Sequence, residues 1–386
     1  MEWAFPDFPD SMSSQPSQSP SPRRLAADQP PRLIDIARKL GVSVQTVSLV
    51  LRDKPGISDD MRERVQREVR RVGYRRNRFA AKFFSKSTKT FGIVVPELSN
   101  AGIALMIEEI HHYARSIGFD VEIMLTQHDP AQEENALDEM VGMRVDGIIL
   151  FSCFWDMGVI PSTHYLKTME KSRIKVPVVN GQLMTGSKVP SISQDLEKGV
   201  ADAVGYLHEQ GHRRLILACP VNEANDRTGS YLARVDGFKA ACAALKLPLH
   251  RHSIVTAIKA DSGEIPFNLS RPLVSNLRET CHTLVEKILK LKSLPTAIIC
   301  ANDIVAIHLT RGLQRHGLKV PGDLAIVGCD GTLIAELAPV PLTTITFDFK
   351  SQAQQLVSEL FRLKHPGYEA PLVRKIPPRL VLRESA

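Results

Sequence analysis

The stretch from Leu33 to Leu51 reads LIDIARKLGVSVQTVSLVL, and its spacing decides the fold of the N-terminal part of the chain. Leu33, Ile36, Ala37 and Leu40 recur at helical intervals, which predicts a first amphipathic helix. Gly41 is placed to stop that helix, and Ser43 can cap a second one carrying Val47, Val50 and Leu51 on its inner face. Further on, Ser58 followed by Asp59 and Asp60 marks the start of a third helix. Its apolar stripe is Met61, Val65, Val69 and Val72, and Gly73 ends it. Three short helices with a tight first turn have the layout of a helix-turn-helix domain. In such a domain the N-terminal residues of the second helix meet base edges in the major groove. The outward positions there are Val44, Gln45, Ser48, Leu49 and Arg52. Gln45 can pair with adenine through its amide, Val44 and Leu49 can touch thymine methyls, and Ser48 or Thr46 can reach phosphate or base.

Charge supports a polyanionic partner for this segment. The 386-residue chain has a formal net charge of +7, but Arg32 to Lys89 contain 16 Lys/Arg against 6 Asp/Glu, so the remainder is close to neutral. Residues 1–31 are rich in Ser, Pro and Gln and too poor in apolar groups to offset the entropy of ordering, so they are expected to form a disordered tail. Between residues 75 and 84 the order RRNRFAAKFF interleaves cations with bulky apolar side chains. A short helix here would bring Ala80 and Ala81 close to the sugar-phosphate backbone and wedge Phe83 or Phe84 between bases in the minor groove, with Asn77 and Arg78 beside them. The alternative is a linker whose phenylalanines pack on the next domain.

Beyond Phe91 short apolar runs alternate with amphipathic helices. Strands are expected at Phe91–Val95, Val121–Leu125, Gly147–Phe151, Val176–Val179, Leu215–Ala218, Ala297–Cys300 and Leu324–Val327. Such alternation predicts parallel sheets covered on both faces, and the series is too long for one sheet, so two lobes are expected. The six cysteines are scattered without metal-ligand spacing and read as reduced core thiols. His111-His112 and the pair His208 and His212 lack an acidic cluster, so no metal is expected, and no cofactor or catalytic residue is assigned. There is no G-x-G-x-x-G after the first strand, no P-loop and no G-x-S-x-G elbow, which argues against an enzyme on a doubly wound fold. The absence of an apolar run of spanning length and of a signal-peptide pattern predicts a cytoplasmic protein with no membrane partner, against an exported solute-binding protein.

The runs Leu33-Ile34-Asp35-Ile36-Ala37 and Gly41 to Ser48, followed by Gly73-Tyr74 and Asn77, resemble the lactose-repressor/galactose-repressor family of bacterial regulators. The resemblance continues through Val145-Asp146-Gly147, Gly211-His212-Arg213-Arg214, Arg234 with Gly237-Phe238, Ala301-Asn302-Asp303, Val327-Gly328 with Asp330, and Pro341-Leu342-Thr343-Thr344. It implies an all-α helix-turn-helix domain over 32–76, a hinge helix and linker over 77–90, and an α/β core over 91–386. That core resembles a type I periplasmic binding protein with two doubly wound lobes. The lobes are expected at about 91–188 with 321–348 and at about 189–320 with 349–386. The resemblance further implies a homodimer on a palindromic double-stranded operator, repressing transcription under the control of a small effector such as a sugar or related metabolite. By the same resemblance Val44 and Gln45 read bases, Phe83 is the minor-groove wedge, and Ser230, Arg234 and Asp303 contact the effector. Arg234 and Asp303 are expected to face each other across the cleft, and Asp303 also lies where it can cap a helix. The chain departs from the family at Phe83, where leucine is usual, at Leu49, where arginine is frequent, at the loop Ser99 to Ile103, which lacks proline and aromatics, and at Gly331, which replaces an aspartate.

Overall fold

Three helices form where the apolar spacing places them: α1 (Leu33–Leu40), α2 (Val44–Leu51) and α3 (Asp59–Val72). Gly41 ends α1 in the left-handed region at φ +67, which glycine adopts without a Cβ penalty. Two residues later the Ser43 hydroxyl accepts the Thr46 N–H at 3.0 Å and opens α2. Ile36, Ala37, Val47, Val50 and Val65 form the buried centre, with Met61, Val69 and Val72 packed around it. Lys39 on α1 pairs with Glu68 of α3 at 3.0 Å and fastens the first helix to the third, while Arg71, one turn along α3, pairs with the same carboxylate at 2.7 Å. The hydrogen bond from Arg71, reinforced by Lys39, holds the Glu68 carboxyl down at about 2.

The computed structural model describes residues 31–74, 87–127, 129–152, 176–182, 189–220, 229–257, 273–371 and 373–386. It separates two units, Met1–Ala81 and Lys82–Ala386. The expected tail and the hinge positions Asn77, Arg78, Ala80 and Phe83 lie outside the described residues.

The second unit runs β1 (Thr90–Val95), α4 (Ala101–Ser116), β2 (Asp120–Leu125), α5 (Pro130–Gly142), β3 (Gly147–Leu150), β4 (Val178–Asn180), β5 (Ser191–Gln194) and α6 (Leu196–Glu209). It continues through β6 (Leu215–Cys219), α7 (Gly229–Ala244), β7 (Ile254–Thr256), α8 (Leu273–Leu289), β8 (Ala297–Cys300) and α9 (Asp303–Arg315). The last elements are β9 (Ala325–Asp330), α10 (Leu333–Glu336), β10 (Thr343–Phe347), α11 (Phe349–Arg362), β11 (Val373–Ile376) and β12 (Pro378–Val381). Two six-stranded sheets result, ordered β11-β5-β4-β3-β1-β2 and β12-β10-β9-β8-β6-β7. The strand pairs are parallel except β10 with β12. In each, strand order reverses about the first strand, as in a doubly wound fold, and helices cover both faces.

The expected division of the lobes is corrected at two places. Residues 321–348 were assigned to the first lobe, but β9 pairs in register with β8, Ala297 opposite Ala325, and β10 pairs with β9. One helix, α9, connects β8 to β9, and such a crossover returns the chain to the same sheet. Leu324 and Ile326 accordingly pack with Ile298, Leu309 and Leu313 of the second lobe. Residues 349–386 were assigned to the second lobe, but the stripe Phe349, Ala353, Leu356, Val357 and Leu360 of α11 buries itself against Phe91, Ile107 and Ile149 of the first. β11 joins that first sheet beside β5, and only from Pro378 does the chain return to the second. The lobes are thus joined by three crossings, after β5, after β10 and between β11 and β12. At the first and third, Lys375 of β11 pairs with Asp195 at 3.3 Å and Glu197 at 3.1 Å.

Candidate functional site

In the helical unit, the N-terminal turn of α2 presents its side chains outward. Val44 is 41% exposed and Gln45 is exposed, whereas Ser48 and Leu49 are half-buried and Val47 and Val50 are in the core. An exposed valine next to an exposed amide, on a helix start held by a glycine stop and a serine cap, offers one apolar and one hydrogen-bonding contact. The Thr46 hydroxyl lies 2.8 Å from that of Ser43 and takes part in the cap, which draws it toward a positioning role. The loop after α2 is fixed by Arg62, whose guanidinium donates to the Asp53 carboxylate and, at 3.0 Å, to the Lys54 carbonyl.

In the second unit, polar side chains gather where the carboxyl ends of the two sheets face each other, the place where open α/β folds bind ligands. Asp303 begins α9 immediately after β8 and is 1% exposed. Its carboxylate accepts the Thr332 N–H at 2.8 Å, the Thr332 hydroxyl at 2.7 Å and the Thr344 hydroxyl at 2.6 Å. Burial nevertheless pushes its pKa above the ordinary carboxylate value. The expected cap role passes to the preceding residue: the Asn302 side chain accepts the Val305 N–H at 2.8 Å. A Cβ at position 328 would run into the Asp303 carboxylate, so Gly328 is what lets that carboxylate lie across β9.

Arg234 on α7 and Asp303 on α9 both belong to the second lobe, so the expectation that they face each other across the cleft is corrected. The carboxylate whose charge the Arg234 guanidinium partly offsets is Asp330, at the end of β9, and the Cys329 thiol lies against the same guanidinium. Arg234 also donates to the Ser230 carbonyl at 3.1 Å, so two of the three expected effector contacts do sit together. Asp330 belongs to the family pattern, but no spacing in the sequence marks it as a site residue. Burial and the neighbouring Asp303 carboxylate raise it to about 7, against the pull of Arg234. Its backbone is at φ +106, outside the regions ordinary side chains favour. Gly331, at φ +68, follows, and a Cβ there would strike Thr346, which accounts for the departure from aspartate.

The first lobe reaches Asp330 with the start of α4. Asn100 caps this helix, accepting the N–H groups of Gly102 and Ile103 at 3.0 and 3.2 Å. A Cβ on Gly102 would lie 3.2 Å from the Asp330 Cγ. The positive end of one lobe's helix therefore rests against an acid of the other. Ser152 and Gln182, which follow β3 and β4, add a buried hydroxyl and an amide at the same edge of the first sheet, the Gln182 amide donating to the Ser152 carbonyl at 2.9 Å. Thr88 and Ser87 tie the start of the unit to Asp146, at 3.2 and 2.9 Å, and Lys364 pairs with the other carboxylate oxygen at 3.0 Å.

Comparison with known proteins fits this geometry. Residues 32–77 match the family described as bacterial regulatory proteins, lacI family, and residues 204–386 match the periplasmic binding protein-like domain. The chain carries a helix-turn-helix domain of the lacI family of bacterial regulatory proteins and, after it, a periplasmic binding protein-like domain. Similar lacI-family proteins include catabolite control protein A of Priestia megaterium, 28% identical over 92% of this chain and 98% of that protein. The ribose operon repressor of Haemophilus influenzae is 27% identical over 91% and 97%. Among solved structures, the Lac repressor dimer bound to operator and the anti-inducer ONPF superposes with a TM-score of 0.73 at 23% identity, covering 92% of this chain and 99% of that one. These relatives are regulators rather than enzymes. Among the described residues no helix is long and apolar enough to cross a membrane. Cys219, Cys242, Cys281, Cys300 and Cys329 are buried thiols, while Cys153 lies outside the described residues. Burial lifts the Cys242 thiol to about 11 and those of Cys281 and Cys329 to about 12, so they behave as core side chains.

Proposed function

We propose that this chain is a sequence-specific transcriptional repressor that binds a palindromic operator as a homodimer in the cytoplasm. A small polar effector, a sugar or related metabolite, would be held between the lobes and set its affinity for DNA. The observation that carries this reading is the exposed Val44–Gln45 pair at the capped start of the second helix of a basic helix-turn-helix unit. Relatives support the rest: one is bound to operator as a dimer, and others hold cellobiose or glucose. In the second lobe Arg234 and Asp330 supply a cation and an acid for ligand hydroxyls, with Ser230 beside them. Asp303 acts behind them by fixing the loop that carries Thr332.

Selection of bound sequences from a random duplex library tests the reading. A palindrome is expected, with affinity falling steeply as salt rises because phosphate contacts release counterions. Gln45→Ala is expected to relax base preference at one symmetric position and to cost about 1–3 kcal/mol there. An unchanged preference profile would overturn the docking of α2, and the absence of any enriched sequence would overturn the operator reading.

A further inference from the structure

Between the middle of α8 and the second half of α9 runs a groove of about 490 Å³ with a cationic lining. Arg278 and His282 line it from α8, His308, Arg311 and Arg315 from α9, and His316 from just past the end of α9. The spacing explains the convergence, since positions three and four apart share a helix face. The helices come close at the floor, where a Cβ on Gly312 would meet Val285 Cγ2 at 2.5 Å. Long side chains on either side of that contact therefore rise as two walls.

Among the described residues no carboxylate pairs with Arg278, Arg311 or Arg315. α8 carries two acids, Glu279 and Glu286, and neither lines the groove; Glu286 is engaged by His282 at 3.7 Å and Lys290 at 3.5 Å. The half-buried ring of His308 registers the excess of positive charge: burial lowers its pKa, and Arg311 and Arg278 lower it further. Three guanidinium groups around one concavity repel one another until an anion sits among them, and their planar forks match phosphate oxygens in pairs. The volume is that of a small-molecule site, walled by two helices and open to solvent, with Arg278, Arg311 and Arg315 exposed at its rim.

We propose that this groove is a second ligand site, distinct from the one between the lobes, which takes a small phosphate-bearing anion of two or more negative charges. The proposal stands whether or not the operator reading does. The test is calorimetric titration of inorganic pyrophosphate into the full chain at constant ionic strength. One saturable site per chain is expected. The variant carrying Arg278→Gln and Arg311→Gln is expected to bind about tenfold more weakly or worse, as the loss of charge-assisted hydrogen bonds requires. Its thermal midpoint without anion should be unchanged or raised, because like charges have been removed; should it fall, Arg315→Gln alone decides, with the same weakening expected. Absence of saturable binding, or equal affinity in parent and variant, overturns the site. If instead the variant keeps its pyrophosphate affinity and loses affinity for a random-sequence duplex, the face is a DNA contact and the small-anion site is refuted.

Discussion

Asp330 brings together backbone strain, burial and a like-charged neighbour in one residue. With a pKa near 7 it holds a proton that the unfolded chain, near 3.8, has already released. Between about pH 4 and pH 7 the folded state therefore binds more protons than the unfolded one. Stability should fall as pH rises through that window and level off above it, with a slope approaching about 1.4 kcal/mol per pH unit. Asp330→Asn is expected to remove this slope, read as denaturation midpoints at pH 5 and pH 8; a variant as pH-dependent as the parent would show that burial does not hold the proton. The residue also marks where sequence reasoning stopped. Ser230 and Arg234 lie four apart on one helix, so their proximity is legible in the chain. The approach of Arg234 to the end of β9, where its guanidinium meets the Cys329 thiol, joins a helix to a distant strand, and no local spacing announces it. Likewise Asp303 stands where a cap is expected, but Asn302 is one residue earlier and takes the helix N–H, which frees the carboxylate for Thr332 and Thr344.

Helices and long strands were legible because their apolar periods are strong. The strands without a strong apolar signal are short: β5 reads SISQ, β7 IVT, β10 TTITF, β11 VRKI and β12 PRLV, and all but β7 flank a crossing between the lobes. Contact between elements also explains a motif that the sequence could only display. A Cβ on Gly237 would collide with the backbone carbonyl of Glu197, so α7 lies against α6 at a distance only glycine allows, while the adjacent Phe238 is fully buried beneath them. Backbone cannot yield as a flexible side chain can, so Gly237→Ala should destabilise the second unit by about 1–3 kcal/mol despite the better helix propensity of alanine. Urea denaturation would measure it. A variant as stable as the parent would mean that the two helices slide apart freely.

At the scale of the molecule, the three crossings leave each lobe stitched from discontinuous segments. Neither lobe can shift without moving β11 and α11 relative to β10 and β12. Alternation of strands and helices announced two lobes, but which late segment belongs to which depends on pairing across the sheet. The contact of the α4 start with Asp330 is one point where the lobes meet, so a ligand that changes it selects one lobe arrangement over another. Coupling of that arrangement to DNA must be reciprocal: whatever factor the effector imposes on operator affinity, the operator imposes on effector affinity. Arg234→Ala removes the cation that partly offsets Asp330 and leaves the helical unit untouched. Operator affinity without effector should stay nearly that of the parent, while its change on adding effector disappears. Fluorescence titration of a labelled operator, with and without the effector found by screening, reads both quantities. A variant that still responds would place the effector elsewhere. One that loses operator affinity in the absence of effector would mean that Arg234 sets the resting lobe arrangement rather than the grip on the ligand.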